Sequence, residues 1–547
     1  MVAVPERVPT SSPPIPGAMS VLLPEKLSDE GISLLSARFN VVKKLDLTPE
    51  QLLSEIPHYD AIIIRSGTKM TRQLIEAAPR LKVIGRAGVG VDNIDISTAT
   101  ERGVLVVNAP TGNCVAAAEH TIALLCAATR HISPADKTIK NGGWDRSKYV
   151  GVSLVDKTLG VVGLGRIGRE VAKRARGLGM HVIASDPFTS EEAAAAIGVT
   201  LAPFEQVLAK SDFLTLHIPL IPSTKDMINA DAIAKMKHGA RIINAARGGV
   251  VNETALLEAL DSGKIAGAAL DCFEFEPPFK YPDSVSAKLV QHPAVLATPH
   301  LGASTREAQL DVAVEIATAV RDSLDGDMVA TMVNAPNISP ESLKSLKPRA
   351  ALCEALGRLA YYVSGRMLHG EAIVDYFFPD ASDDTRLLRA GLIKGLMEPA
   401  LGVKVTIVNA DNIAKNHNLS ITETNHYSSV NMDSEVVVTV RNTPPIEGRV
   451  TSGNPHVTRI GRFEVDLRLD GIIMAYSQDD RPGQMGLVGT LLGDAGVNIS
   501  SMTLARDANS SKALVILGLD SRPSEELVKK VENLINDSEL RPIVMEF

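Results

Sequence analysis

Cysteine is scarce, with four residues in 547, at Cys114, Cys126, Cys272 and Cys353. They are scattered and none forms a CxxC pair. That excludes a disulfide framework and a zinc ribbon, leaves no metal site to propose, and points to a reducing, cytoplasmic setting. Long apolar runs are also lacking: none reaches the ~18 residues of a membrane span. Basic charge is not in excess, since 56 Lys+Arg stand against 64 Asp+Glu for a formal net charge of −8. This argues against a partner held by nucleic-acid phosphates. No tandem repeat at a solenoid period is present. Residues 1–19 lack the apolar core of a signal peptide and the Arg-rich, acid-poor bias of a transit peptide. Rich in Pro and Ser between Pro5 and Pro16, they read as a disordered tail.

What remains is an ordinary globular composition, 45% hydrophobic and 22% charged. The chain is too long for one core, so three or four domains are expected. From Val21 to about Pro299, short apolar runs alternate with helical patterns, the mark of parallel α/β structure. A first set comprises Val21–Leu23, Ala61–Ile64, Leu81–Ile84 and Val104–Val107. A helix capped by Asn113 then runs to Arg130, with Val115, Ala118, Ile122, Leu125 and Cys126 as its stripe. A second set comprises Leu159–Val162, Val182–Ala184, Phe213–Leu216, Arg241–Asn244, Ala266–Leu270 and Ala294–Ala297. It predicts a doubly wound sheet of about six strands. A helix from Ala303 to about Leu324 is expected to recross to the first domain. Residues 337–350 read as a linker. Beyond it come a helix (Ala351–Leu368) and strands (Val403–Val408, Val436–Val440), then a βαββαβ unit over 471–547.

Gly163-Leu-Gly165-Arg-Ile-Gly168 follows one strand and opens a helix. The first glycine permits the turn, the second lets backbone approach a pyrophosphate, and the third lets helix and strand pack closely. Free N–H groups at the helix N-terminus suit the phosphates. The next strand ends at Asp186, which can accept from both ribose hydroxyls and repel a 2′-phosphate. NAD is therefore the expected cofactor.

Ligands of an open parallel sheet bind beyond the strands' carboxyl ends. Three successive strands there lead into Arg247, into Asp271 with Glu276, and into His300. Arg247 offers a planar fork to a substrate carboxylate. His300 can take a hydroxyl proton as hydride leaves the same carbon. Glu276, bonded to the far imidazole nitrogen, would orient the ring and stabilise the charge it acquires. In the first domain, strands end in Arg65-Ser66-Gly67 and in Gly85-Arg86, so two more arginines face the cleft, as an anion of charge near −2 would require.

The runs GVVGLGRIG (160–168), NAARGGVVNETAL (244–256), GAALDCFEFEP (267–277) and TPHLGAST (298–305) resemble the nucleotide fingerprint and catalytic blocks of the D-isomer-specific 2-hydroxyacid dehydrogenases. The likeness spans residues 20–547 and is closest to the long-form branch acting on 3-phosphoglycerate. It implies a flavodoxin-like substrate domain (20–112 and 301–336) and a Rossmann NAD domain (113–300). An α+β intervening domain (337–470) and a C-terminal βαββαβ ACT domain (471–547) would follow. It places catalysis on Arg247, Glu276 and His300. NAD contacts fall on Gly163, Gly165, Arg166, Ile167, Gly168, Asp186, Ile218, Ala245, Ala246, Asp271 (nicotinamide amide), Gly302 and Ala303. Substrate contacts fall on Arg65, Ser66, Arg86, Val89 and Gly90. Trp144-Asp-Arg146-Ser-Lys148 resembles a stretch that reaches a neighbouring subunit's site, with plain surface basics as the alternative.

Two departures stand out. Val89 sits where many relatives carry Thr, and the stretch from Glu276 to His300 is longer than usual. The implied reaction is oxidation of 3-phospho-D-glycerate to 3-phosphohydroxypyruvate by a homotetramer, the first step toward L-serine. In the ACT-like unit, Asp480 and Asn498 map onto effector contacts to L-serine, and Gly483 and Gly486 would let the backbone close around it. Tyr476 is displaced by two residues. A dimerisation module without ligand is the alternative. Arg449, Arg459 and Arg462 read as a solvated basic face, with a second anion site as the alternative. The rival functions are a glyoxylate or hydroxypyruvate reductase, an NAD-sensing corepressor, and a bare amino-acid sensor. Asp186 with Arg65 and Arg86 disfavours the first, the ACT-like unit the second, and the intact catalytic residues the third.

Overall fold

A computed structural model describes residues 15–547 except 328, 336–339, 366–368, 379–383, 403–404, 428–434, 441–442, 508–509 and 536–539. Most of the predicted tail therefore lies outside the described residues. Ile15 is already tied to the fold, its N–H donating to Asn40 Oδ1 at 2.7 Å. Two compact units are present. One comprises residues up to 71, 84–94 and 107–321; the other comprises 72–83, 95–106 and 322–547.

The first sheet contains β1 (Ser20–Leu23), β2 (Asn40–Lys43), β3 (Ala61–Ile64), β4 (Val83–Arg86) and β5 (Leu105–Asn108), in the order β2-β1-β3-β4-β5. β1 pairs in parallel with both β2 and β3. This is the flavodoxin-like order. All four residues of β3 are buried, as expected of a strand covered on both faces. Sequence reading missed β2, whose four residues (NVVK) carry too little apolar pattern to stand out. The helix Arg306–Leu324 covers this sheet as expected. A Cβ at Gly85 would overlap Val320, and one at Gly31 would overlap the backbone of Ala313.

The second sheet has seven strands, all in parallel pairs: β6 (Thr158–Val162), β7 (His181–Ser185), β8 (Thr200–Leu201), β9 (Phe213–Leu216), β10 (Ala240–Asn244), β11 (Ile265–Leu270) and β12 (Val295–Ala297). Their order is β12-β11-β10-β9-β6-β7-β8. It reverses between β6 and β9, which is the switch point where a dinucleotide binds. The added strand β8 has only two residues. The helix Cys114–Thr129 lies within one residue of the expected span, and Ala118 and Leu125 of the expected stripe are buried, but Val115 is exposed and Ala116, Ala117, Thr121 and Leu124 join the buried face.

The third sheet holds β13 (Gly370–Phe378), β14 (Leu419–Tyr427), β15 (Val436–Val440), β16 (Ile446–Thr451), β17 (Asn454–Ile460) and β18 (Phe463–Arg468). Burial alternates along β13 and β15, as in a sheet with one face on a core. Two expectations are corrected here. The linker reading of 337–350 fails from Pro340, where the helix Pro340–Val363 begins. Leu346, Ala350, Cys353, Leu356 and Ala360 form its buried stripe, and that periodicity outweighs the local Pro and Ser content. Of the expected Val403–Val408 strand, 403–404 lie outside the described residues, and 405–408 form no strand: 407–409 turn, closed by Thr406 N–H donating to Asn409 Oδ1 at 2.7 Å.

The last sheet contains β19 (Ile472–Asp479), β20 (Ile499–Arg506), β21 (Lys512–Leu519) and β22 (Ile543–Glu546), in the order β20-β21-β19-β22 with antiparallel pairs throughout. With the helices Gln484–Asp494 and Glu525–Ile535 this is the expected βαββαβ order.

Candidate active site

The turn after β6 has the three glycine roles in separable form. Gly163 takes φ +90°, and a Cβ there would overlap His217 O and Ile218. A Cβ on Gly168 would overlap Gly163 O, so helix and strand meet at backbone distance. Gly165, at the N-cap of the helix Arg166–Gly177, has open space around it. That open slot beside free helix N–H groups fits a pyrophosphate. Arg166 and Ile167 form the first turn of the helix. Asp186 accepts from Leu164 N–H (2.6 Å) with one oxygen and from Phe188 N–H (2.7 Å) with the other. Its remaining lone pairs suit two ribose hydroxyls. These residues fit NAD.

The catalytic candidates follow β10, β11 and β12. His300 Nδ1 lies 2.9 Å from Glu276 Oε2 and 3.2 Å from Oε1. An ionised carboxylate only accepts, so in that pairing Nδ1 donates and Nε2 is the ring nitrogen left free to accept. His300 has φ +55°, and its N–H donates to Asp271 O at 2.8 Å. Glu276 is held in turn by Phe273 N–H at 2.9 Å.

Beneath this loop lies Asp271, 1% exposed. Its carboxylate accepts from Leu301 N–H (2.8 Å), Gly302 N–H (2.9 Å) and Thr298 Oγ1 (2.5 Å), with His120 Nε2 at 3.0 Å. Burial pushes this carboxyl up, but the hydrogen bonds from His120, Thr298 and Leu301 outweigh it and hold it below the ordinary Asp value. Asp271 therefore shapes the loop that carries His300, Gly302 and Ala303. Ala245 and Ala246 lie in a turn stapled by buried Asn244, which accepts from Ala246 N–H (3.1 Å) and donates to Arg247 O (2.8 Å).

Arg247 donates from Nε to Asp92 at 2.7 Å and from its first terminal nitrogen to Ala246 O at 2.7 Å. A Cβ on Gly90 would overlap its guanidinium, so this glycine permits the approach. Arg86 ends β4. Burial and the Arg247 charge push its guanidinium down to about 10, against the opposing pull of Asp92 and Glu25. Val89 contributes a carbonyl that accepts from Asn108 at 2.8 Å. Arg65 and Ser66 sit on a loop clamped from two sides. Glu25 accepts from the N–H groups of Arg65 (2.8 Å), Gly67 (3.1 Å) and Thr68 (3.0 Å). Asn93 donates to the carbonyls of Arg65 (2.7 Å) and Thr68 (2.6 Å).

The comparisons fit this geometry. Residues 122–302 match the NAD binding domain of the D-isomer specific 2-hydroxyacid dehydrogenases. Residues 345–460 match the D-3-phosphoglycerate dehydrogenase intervening domain. D-3-phosphoglycerate dehydrogenase 3, chloroplastic, of Arabidopsis thaliana is 48% identical over 94% of this chain and 90% of its own. The chain belongs to the D-3-phosphoglycerate dehydrogenase family. The Methanocaldococcus jannaschii member is 39% identical over 95% of this chain and 98% of its own. A D-lactate dehydrogenase from Aquifex aeolicus, solved with NAD and lactic acid, shares the fold at 27% identity and TM-score 0.53, over 58% of this chain and 99% of that one. NAD is the cofactor, and the chain is an NAD-dependent D-2-hydroxyacid dehydrogenase. No helix among the described residues is long and apolar enough to cross a membrane.

Not every residue singled out from the family pattern joins the cluster. Arg146 and Lys148 are exposed around the short helix Ser147–Tyr149, and no hydrogen bond or ion pair among the described residues links Arg146 to the site. Asp480 pairs with Arg506 at 2.8 Å, whereas Asn498 donates to Asp520 at 2.6 Å, so the two effector candidates have separate partners. Tyr476 is fully buried, which pushes its phenol up. Arg459 meets Glu447 (3.3 Å) and Glu464 (3.8 Å), and Arg462 meets Asp507 (3.1 Å).

Several site-shaping residues of this dehydrogenase escaped sequence reading: Glu25, Asp92, Asn93, His120, Asn244 and Glu253. Buried Glu253 accepts from Glu274 N–H (2.8 Å) and Ser286 Oγ (2.5 Å), steadying the loop before Glu276. Burial raises its carboxyl above the ordinary Glu value. Only Asn244 and Glu253 lay inside a quoted motif. The others contact the site through the fold.

His217 was also missed. It follows β9, its carbonyl backs Gly163, and burial pushes its imidazole from 6.5 down to about 4. Between those values the unfolded chain binds the extra proton, so stability falls as pH drops through that window. We expect a loss of up to about 3 kcal/mol. His217→Asn should flatten the decline of Tm between pH 6.5 and 4. An equally steep decline in the variant would refute the linkage.

Proposed function

We propose that this chain oxidises 3-phospho-D-glycerate to 3-phosphohydroxypyruvate, releasing NADH and a proton, as the first step of the phosphorylated route to L-serine. The observation that carries the reading is the His300–Glu276 pair at 2.9 Å in the same unit as Arg65, Arg86 and Arg247. Bound NAD supplies the hydride acceptor. Arg247 takes the substrate carboxylate. Arg65, Ser66 and Arg86, with the backbone of Val89 and Gly90, take the phosphate. His300 Nε2 takes the C2 hydroxyl proton, and Glu276 stabilises the charge that results. Cleft closure would exclude water from that transfer. Gly163 to Gly168 cradle the pyrophosphate, Asp186 the ribose, and Ile218, Ala245, Ala246, Asp271, Gly302 and Ala303 the nicotinamide side.

The finer assignments extend this reading. The domain limits are those set out above, with the third domain opening on the helix at Pro340. The last unit, by its strand order, is an ACT-type module with Asp480 and Asn498 toward an L-serine effector. The enzyme works as a homotetramer, with Arg146 serving a neighbouring subunit's site. The four free cysteines support a reducing cytosol.

The decisive assay follows NADH formation with 3-phospho-D-glycerate, with and without L-serine. Turnover well above that with unphosphorylated D-glycerate is expected. Equal kcat/KM for the two substrates would overturn the assignment, and no response to L-serine would remove the effector. Asp186→Ala should raise KM for NAD about 10–100-fold, the worth of hydrogen bonds to a charged group. NADP should then compete better, and an unchanged NAD/NADP ratio would contradict the role of Asp186.

A further inference from the structure

Three arginines gather in this site, and they repel one another. Arg86 feels the charge of both Arg247 and Arg65, and its buried Nε has no hydrogen-bond partner among the described residues. One loop, 89–93, manages all three. Asn93 fixes the carbonyls on either side of the Arg65 loop, and Gly90 lies against the Arg247 guanidinium. Asp92 bonds Arg247 Nε at 2.7 Å and acts against the Arg247 charge at Arg86.

The detail that matters is which edge of Arg247 Asp92 occupies. A guanidinium can grip a carboxylate side-on, through Nε and one terminal nitrogen, or end-on, through both terminal nitrogens. Asp92 takes the Nε–H, and Ala246 O takes one N–H of a terminal nitrogen. The side-on edge is thereby closed, the plane of the group is set by two anchors, and the end-on fork remains. We propose that Asp92 is a positioning residue that restricts Arg247 to end-on recognition of the substrate carboxylate and serves as counter-ion to the arginine cluster. The proposal rests on the reading that Arg247 binds that carboxylate.

Removal of Asp92 has two consequences of opposite sense. The site gains positive charge, so anions bind at least as tightly. The side-on edge also opens, so part of the bound substrate lies in a pose whose C2 is misplaced relative to His300, and misplacement of that kind lowers turnover rather than binding. Asp92→Ala is therefore expected to cut kcat tenfold or more while KM stays level or falls. Asp92→Asn keeps an oxygen that accepts the Nε–H, so it should recover kcat at least threefold over the alanine variant. Both variants should bind inorganic sulfate several-fold more tightly, as a competitive inhibitor and by its rise in Tm on NAD-loaded protein. A raised KM with kcat unchanged, or both constants within twofold of wild type, would overturn the proposal. Should the alanine variant not fold, the asparagine variant decides: sulfate affinity equal to or weaker than wild type sinks it. Failure of wild type to oxidise 3-phospho-D-glycerate would remove the functional reading instead, while the sulfate titration still tests the counter-ion role.

Discussion

His300→Ala is expected to lower kcat about 10²–10⁴-fold, the usual worth of a general base, with little change in KM. The reason lies in one nitrogen. Glu276 lies 2.9 Å from Nδ1, and with Nδ1 donating to that carboxylate Nε2 is the nitrogen left to accept the hydroxyl proton. The backbone at residue 300 takes φ +55°, which disfavours most side chains. His300→Asn tolerates that conformation better and separates chemistry from strain. Both variants should lose turnover alike. If the asparagine variant retains kcat within threefold of wild type in the steady-state assay, His300 is not the base. The ring is about two-fifths exposed, so the melting temperature of the asparagine variant should move little.

The second large effect is expected at Arg247. Lysine keeps the charge but loses the fork, the Nε–H to Asp92 and the anchor to Ala246 O. We expect Arg247→Lys to raise KM for 3-phospho-D-glycerate about 100-fold, equivalent to about 2.7 kcal/mol. That is within the range seen when one partner of a hydrogen-bonded charge pair is removed. Steady-state kinetics at saturating NAD would show it. A KM within threefold of wild type would mean that the carboxylate is held elsewhere, with Arg65 and Arg86 as the first places to look.

The parts of this fold that repeat a strong local pattern were legible in the sequence. The buried runs AIII, LGVV and FLTL became strands because only a two-sided sheet hides every side chain. The glycine turn was legible because its spacing answers a backbone requirement, as the overlaps at Gly163 and Gly168 make plain. Arg247, Glu276 and His300 stood out as candidates because strand ends of a parallel sheet share one edge. Weak local patterns were not legible. β2 and β8 are four and two residues long. The helix from Pro340 was hidden by Pro and Ser, which report on local preference but not on the sheet that buries Leu346 and Cys353.

The amino-acid order alone thus determined the two wound sheets, the dinucleotide turn and the candidates Arg247, Glu276 and His300, since each follows from periodicity or from a motif contained in one short segment. The tertiary structure alone decided how those groups are held: Asp92 against Arg247, Glu25 and Asn93 around the Arg65 loop, Asp271 and His120 beneath His300. Asp92 lies 155 positions from Arg247, and Asn93 lies 25 to 28 positions from the loop carbonyls it holds. Side chains that far apart leave no joint pattern in a linear sequence, because a hydrogen bond depends on distance in space, and only the folded backbone sets that distance.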